Sequence, residues 1–477
     1  MRHSLSFITA LTLTICGADC SLAAQAVPLT KPVQAYGIRV AAEWEPVTGV
    51  LIGWPLQVPD TLVVALSHEV DLYVTVSHRS HAERAAKQFS EWGIDLQRVH
   101  FVVTKQGRGY YITRDWGPFA VFDEQGHYRV VERRFRGYPL GTMVNSHLIW
   151  VPWISGIPYR PEDRAPVAVA SALGYPIREL PFSLTGGNVA FDGHGNAFAT
   201  EIMLAENRWR GVSRERFLAI AQEELGIQQF HFLPNFERLG IQHLDCLLKL
   251  VDEERLLIKR PPPDDPAFKD VERVVSYLST LTNVYGRPYQ LLRIDTPRYH
   301  LNRLANYTNA VIVNRSIFVP LFGIPADAAA LNTWRQAMPG YDVQGFESTH
   351  WGSDDALHCR VHGIWDPHML YLAHRRMDAL VAWASKFTLE VHIRDYSGAG
   401  LIDGQLHLAW RQQGNTEWRT ERLHRTAEEH LYQGTIEGVQ PGQTIEYYFE
   451  AASRSGRQET LPRTAPAGVY TFATASN

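Results

Sequence analysis
The stretch HLDCLLKLVDEERLLI, His243–Ile258, opens on polar residues and then runs apolar strand, acidic turn, apolar strand. RDWGPFAVFDEQGHYRVV (Arg114–Val131), GGNVAFDGHGNAFAT (Gly186–Thr200) and YTNAVIVNRSIFVPLF (Tyr307–Phe322) follow the same order. Their openings recur roughly every 55–75 residues, as repeated supersecondary units would. Any α/β protein alternates strands and helices, so the spacing alone leaves an ordinary α/β sheet open. A polar side chain at the same place in each unit says more. Units set round an axis would bring those positions together.

The intervals carry helical patterns. SHAERAAKQFSEWG begins with Ser80 and Glu83 at capping-box spacing and stops at Gly93. SRERFLAIAQEELG (Ser213–Gly226) and FKDVERVVSYLSTL (Phe268–Leu281) repeat apolar residues at helical period. Beyond Lys386 the helical signal ends. FTLEVHIRD, QLHLAWRQ, LYQGTIEG, QTIEYYFEAAS and GVYTFATA are short alternating strands, separated by turns such as Asp403-Gly404 and Pro441-Gly442. Residues 386–477 therefore fit a small immunoglobulin-like β-sandwich, without the cysteine pair of antibody domains.

Composition narrows the class. The chain has 477 residues, 45% hydrophobic and 20% charged, with a net charge of −4. No strong basic field exists to neutralise phosphates, which argues against nucleic acid as the main partner. MRHS supplies a positive start, LSFITALTLTICGA an apolar run and Ala24-Gln25-Ala26 an A-x-A site. Residues 1–26 read as a secretory signal cleaved after Ala26, too short for a comfortable membrane span. A lipoprotein reading through Cys20 is weaker, because Asp19 stands where a small apolar residue is expected. The mature protein is expected to be soluble and secreted or periplasmic, with no membrane span. Cys16 and Cys20 leave with the signal, so Cys246 and Cys359 remain.

Chemistry concentrates at the polar openings. On a strand, His243 and Asp245 would share one face, with Leu244 and Cys246 on the other. Cys246 then reads as a buried core thiol, and a Cys246–Cys359 disulfide as unlikely in geometry. In TRDWGP the carboxylate of Asp115 would lie at the mouth of a strand, or serve as a turn former. Tyr307 and Asn309 would share a strand face, with Asn309 able to orient a substrate or simply to satisfy the backbone. SDDALHCRVHGIWD sets Cys359 between His358 and Arg360. A thiol needs a nearby cation or base to attack well, and Asp354 and Asp355 oppose its ionisation. His350, His358, Cys359, His362 and His368 match no closed zinc spacing, so no metal is expected.

TRDWGP, TGGN, QHLDC, ANYTN and DDALHCR, in that order, resemble the guanidine-modifying deiminases of the pentein superfamily. More narrowly, the chain is similar to bacterial peptidylarginine deiminases related to agmatine deiminases. The resemblance implies a five-bladed α/β-propeller over residues 27–385, followed by the sandwich. It implies Cys359 as nucleophile, His243 as general acid/base, Asp115 and Asp245 as guanidinium-binding carboxylates and Asn309 as a positioning amide. Gly186, Gly187 and Asn188 match a family motif, for which close backbone packing is the expected role. No cofactor is implied, and the expected partner is an arginine-containing peptide or a small guanidine.

Some positions depart from the family. The paired arginines that hold a peptide's C-terminal carboxylate are not aligned in VERRFRGYPLG, although Arg134 and Arg136 lie near. Ile112 stands where relatives tend to have tryptophan, and LTGGN lacks the glutamate that agmatine deiminases carry before the glycine pair. Agmatine or free arginine remains an alternative substrate. A cysteine peptidase or amidase, and a catalytically silent binding protein, are the alternatives from other classes.

Overall fold
The computed structural model describes residues 37–476, except residues 133–134, 136–139, 145–146, 152–160, 209, 238–240, 301–302 and 353–354. The signal-peptide reading, Arg134, Arg136 and Asp354 lie outside the described residues. No helix among the described residues is long and apolar enough to cross a membrane.

The polypeptide is α/β with mixed sheets. Four sheets repeat one order, an antiparallel hairpin followed by a strand added in parallel. They are Phe119–Phe122, Tyr128–Glu132 and Ile177–Glu179; Ala190–Phe191, Asn196–Thr200 and Gln229–Leu233; Leu248–Leu250, Arg255–Arg260 and Gln290–Asp295; and Val311–Val313, Ser316–Leu321 and Asp342–Glu347. A fifth draws on residues far apart in the chain. His362–Trp365 pairs antiparallel with Val47–Gly53, which pairs parallel with Asp71–Val76. A parallel addition requires a crossover. Helices supply it: Ala165–Leu173, Arg214–Leu225, Phe268–Leu278, Asp327–Ala337 and Asp60–Glu69.

Local chemistry explains the clearest of these helices. Ser213 accepts from the backbone N–H of Arg216, and the chain leaves Arg214–Leu225 at Gly226 with φ +69°. A side chain there would also run into the carbonyl oxygen of Ile38, 1.6 Å from the Cβ position, so glycine is required twice over. The Ser80–Glu83 capping box does not form. That helix spans Arg79–Glu91 after His78, without a side-chain cap, so Ser80 already lies inside it. Gly93 follows its end with φ +79°, as the stop signal required.

From Leu370 onward the described structure is all strand and turn. Leu370–Ala373, Lys386–Asp395, Leu431–Glu437 and His424–Arg425 form one sheet. A second contains Leu401–Gln412, Thr444–Ser453 and Tyr470–Thr474. Lys386–Asp395 buries alternate residues, and Leu389, Val391 and Ile393 join Leu408, Trp410, Tyr447, Phe449 and Phe472 in one apolar core.

Forked arginine contacts are among those that tie these sheets to the mixed-sheet region. Arg39 holds Glu45 through two bonds of 2.7 and 2.9 Å, donates to the Tyr396 hydroxyl at 3.0 Å and lies 4.1 Å over the Tyr371 ring. Arg457 grips Asp366 with bonds of 2.8 and 2.9 Å. Both are forked guanidinium–carboxylate contacts, which fix orientation as well as charge.

Candidate active site
The polar openings of the repeated units are single helical turns rather than strand residues. Thr113–Trp116 and Leu357–Arg360 are one-turn α-helices, while Gly186–Asn188 and Leu244–Cys246 are 3₁₀ turns. Thr113–Trp116 packs against both Gly186–Asn188 and Leu357–Arg360, and Gly186–Asn188 packs against Leu244–Cys246. A single turn reverses direction within four residues, so its side chains gather where a strand would spread them.

Gly187 shows how closely they gather. A Cβ on it would stand 2.6 Å from Asp115 Oδ1, 2.9 Å from His243 Nδ1 and 3.0 Å from Asp245 Oδ2. Its backbone N–H donates to Asp115 Oδ1 at 2.9 Å, and His243 Nδ1 lies 3.6 Å from that oxygen. The glycine therefore orients one carboxylate and leaves room for all three groups, a larger role than close packing alone. Asn188 supports it from below, its Oδ1 accepting from Thr200 and from the N–H of Leu244.

Cys359 lies at the same place. Its sulfur donates to Asp245 Oδ2 at 3.5 Å and accepts from Asn309 Nδ2 at 3.3 Å. Asn309 Oδ1 in turn accepts from the N–H of His358 at 2.9 Å and of Cys359 at 3.4 Å. Asp115, His243, Asp245, Asn309 and Cys359 thus form one connected, buried group.

Three expectations need correction. His243 and Asp245 converge through a 3₁₀ turn, not a shared strand face. For the same reason Cys246 does not point away. Its thiol donates to Asp245 Oδ1 at 3.5 Å, lies 3.9 Å from Asn309 Nδ2 and is hydrogen-bonded with Cys359, with no disulfide between the two. Tyr307 and Asn309 share no strand face, since the strand begins at Val311; the Tyr307 hydroxyl donates to Asp327 Oδ1 instead. Of the histidines weighed as ligands, His362 bonds the carbonyl of Pro118 and His358 lies between two carboxylates.

Four groups join the site that sequence reasoning did not single out for it. His358 reaches Asp245 Oδ2 at 2.8 Å through Nδ1 and Glu43 Oε2 at 2.9 Å through Nε2. Glu43 also receives Lys249 Nζ at 3.0 Å. Glu206 accepts from the Thr185 hydroxyl at 3.3 Å, just before the glycine pair. A cavity of about 30 Å³ opens among Glu43, Arg114, Gly187, Asp245, Lys249 and His358.

The electrostatics set the resting state. The Cys246 hydrogen bond lowers the Cys359 pKa, but burial and the charges of Asp245, Asp355 and Asp115 outweigh it and push the thiol up to about 12. Burial alone would raise Asp245. The His358 hydrogen bond, with the charges of His358, His243 and Lys249, holds it below the usual carboxylate range. Burial lifts Glu206 to about 7, against the charges of His243 and Arg210 and the Thr185 hydrogen bond, while Asp115 adds to the rise. The resting site is a protonated thiol beside carboxylates, suited to a cation and ill suited to an anion.

The family model for Porphyromonas-type peptidyl-arginine deiminase matches residues 39–362. The chain belongs to this family. It is a hydrolase of C–N bonds in linear amidines, as its family members are. Agmatine deiminase of Pseudomonas putida is 25% identical over 357 residues, covering 66% of this chain and 92% of that protein. Agmatine deiminase of Stutzerimonas stutzeri is 26% identical over 353 residues, covering 66% and 92%. Among solved structures, agmatine deiminase of Enterococcus faecalis superposes with a TM-score of 0.57 at 18% identity, covering 72% of this chain and 100% of that one. C. jejuni agmatine deiminase gives 0.54 at 17% identity, covering 71% and 99%. These likenesses place the deiminase in the pentein fold.

Proposed function
We propose that the chain is an exported enzyme that converts arginine side chains of peptides or proteins to citrulline, releasing ammonia. The single observation carrying this reading is the meeting of Asp115, His243 and Asp245 round Gly187, with Cys359 on the same Asp245 oxygen. In this reading the five mixed sheets are blades of an α/β-propeller whose one-turn helices face the axis. Residues 386–477 form an immunoglobulin-like domain that supports folding or attachment.

A guanidinium is planar, positive and resonance-stabilised, hence a poor electrophile. Asp115 and Asp245 bind its N–H fork and hold the plane against the sulfur. The bound cation offsets the carboxylates that keep Cys359 protonated, so the thiol gives its proton to His243 and the thiolate forms where its target sits. A sulfur–carbon bond forms, one carbon–nitrogen bond breaks, and His243 gives its proton to the departing ammonia. His243 then takes a proton from water as the oxygen attacks the thiouronium carbon. The carbon–sulfur bond breaks, leaving a ureido group and regenerating Cys359. Asn309 keeps the sulfur in line through its amide.

Export is inferred from residues 1–26, and the peptide substrate from Thr185 standing where agmatine deiminases carry glutamate. Agmatine or free arginine is the second reading, favoured by the relatives named agmatine deiminases. A panel of free arginine, agmatine and peptides with internal or terminal arginine, scored for ureido product under reducing conditions, decides between them. The proposal requires peptide turnover above the other two and none from Cys359→Ala. Turnover of agmatine alone would replace it with the second reading.

A further inference from the structure
The carboxylate of Asp245 is backed by a chain of charges leading away from the sulfur. His358 donates to Asp245 Oδ2 at 2.8 Å and to Glu43 Oε2 at 2.9 Å. Lys249 Nζ donates to Glu43 Oε1 and Oε2 at 3.1 and 3.0 Å, and Arg114 Nη2 lies 3.9 Å from Oε1. The side chains of His358, Lys249 and Arg114 are 4, 4 and 3% exposed. Burial of such charges requires that they be matched, and here Glu43 faces His358, Lys249 and Arg114 while Asp245 faces His358.

The imidazole is the joint of this chain. A carboxylate can only accept, and each ring nitrogen of His358 faces one, so both nitrogens serve as donors. The charges of His358, Lys249 and Arg114 overcome burial and hold Glu43 well below the usual carboxylate range. His358 also precedes Cys359 directly, and its backbone N–H bonds to Asn309. One residue therefore links the nucleophile, the positioning amide and the carboxylate that accepts the thiol.

We propose that His358 and Glu43 are positioning residues, His358 fixing the rotamer and charge of Asp245 and Glu43 fixing His358. The inference rests on the reading that Asp245 receives the guanidinium. The ionisable groups facing Asp245 are His358, His243, Lys249, Cys246 and Cys359, with Asp115 across Gly187. His358 supplies the largest favourable contributions among them. Without it, burial raises Asp245, and the cation is lost at a higher pH.

The test compares pH profiles of kcat and KM for wild type, His358→Gln, Glu43→Gln and the double variant on an arginine peptide, with thermal melts alongside. His358→Gln raises KM about tenfold with a smaller change in kcat, and moves the acid limb of kcat/KM up by about one pH unit. Glu43→Gln moves it the same way by less, and the double variant resembles His358→Gln, because Glu43 acts through His358. An unmoved acid limb in folded variants, or additive losses in the double variant, overturns the proposal. Should His358→Gln not fold, Glu43→Gln must still move the limb. Should no arginine compound be turned over, the limb is read from alkylation of Cys359 by chloroacetamidine, whose amidinium needs the same carboxylate. The substrate reading can then fail while this one stands or falls separately.

Discussion
The thiol of Cys359 donates to Asp245 Oδ2 at 3.5 Å, so in the proposed mechanism the nucleophile of the free enzyme is held as an acid by the carboxylate that would receive the substrate. With the pKa of Cys359 pushed up to about 12, the thiolate fraction is small at neutral pH and grows with pH. Alkylation by neutral iodoacetamide is expected to be slow at pH 7 and to rise through pH 10 without a plateau. Chloroacetamidine, which brings its own cation, should react at least about tenfold faster near neutrality. Asp245→Asn should reverse the order, speeding the neutral reagent and slowing the cationic one. Rates followed by intact-mass spectrometry check this, and equal rates for both reagents would refute it.

Gly187→Ala places a methyl group within 3.0 Å of Asp115, His243 and Asp245. Those side chains must move, and a displacement near 1 Å costs roughly a hundredfold in rate. We expect kcat/KM to fall by about that factor, with a small change in melting temperature, since the strain falls on side chains at a cavity. Steady-state kinetics paired with a thermal melt distinguishes this from simple unfolding.

Glu206 is pushed up to about 7 beside His243 and Asp115, so it changes charge across the working range. Its charge is coupled electrostatically to His243 and Asp115. The kcat/KM profile should carry an inflection near neutrality that Glu206→Gln removes. An identical profile in the variant would show that Glu206 is not felt at the reacting groups.

Arg39 joins Glu45 to Tyr396 and Tyr371, with side-chain exposures of 8 and 6% for the ion pair. Arg39→Ala leaves Glu45 buried without its partner, which costs about 3–5 kcal/mol. Denaturant unfolding should show that loss, whereas Arg79→Ala, whose pair with Glu83 is 92 and 66% exposed, should change nothing measurable.

The sequence indicated which residues gather better than it indicated how they are held. Asp115, His243, Asp245, Asn309 and Cys359, which the fold brings together, could be singled out because each lies in one of the ordered motifs that carry the family resemblance. The one-turn helices could not. Three or four residues cannot display a period, so LDC and TRDW read as the first residues of a strand. That error also sent Cys246 to the wrong side of its unit. Glu43 was hidden for another reason: AAEWEP carries no pattern, and its partner His358 lies 315 residues away, so only tertiary packing joins them. Arg214–Leu225 was legible in full because its cap and its stop are both written in local chemistry.

The most direct test of the central claim is to quench the enzyme during turnover of an arginine peptide and weigh it intact, with peptide mapping. Wild type is expected to carry the mass of the peptide less one ammonia, on Cys359 alone. Turnover with the adduct on another residue, or release of ureido product by Cys359→Ala, would contradict the account.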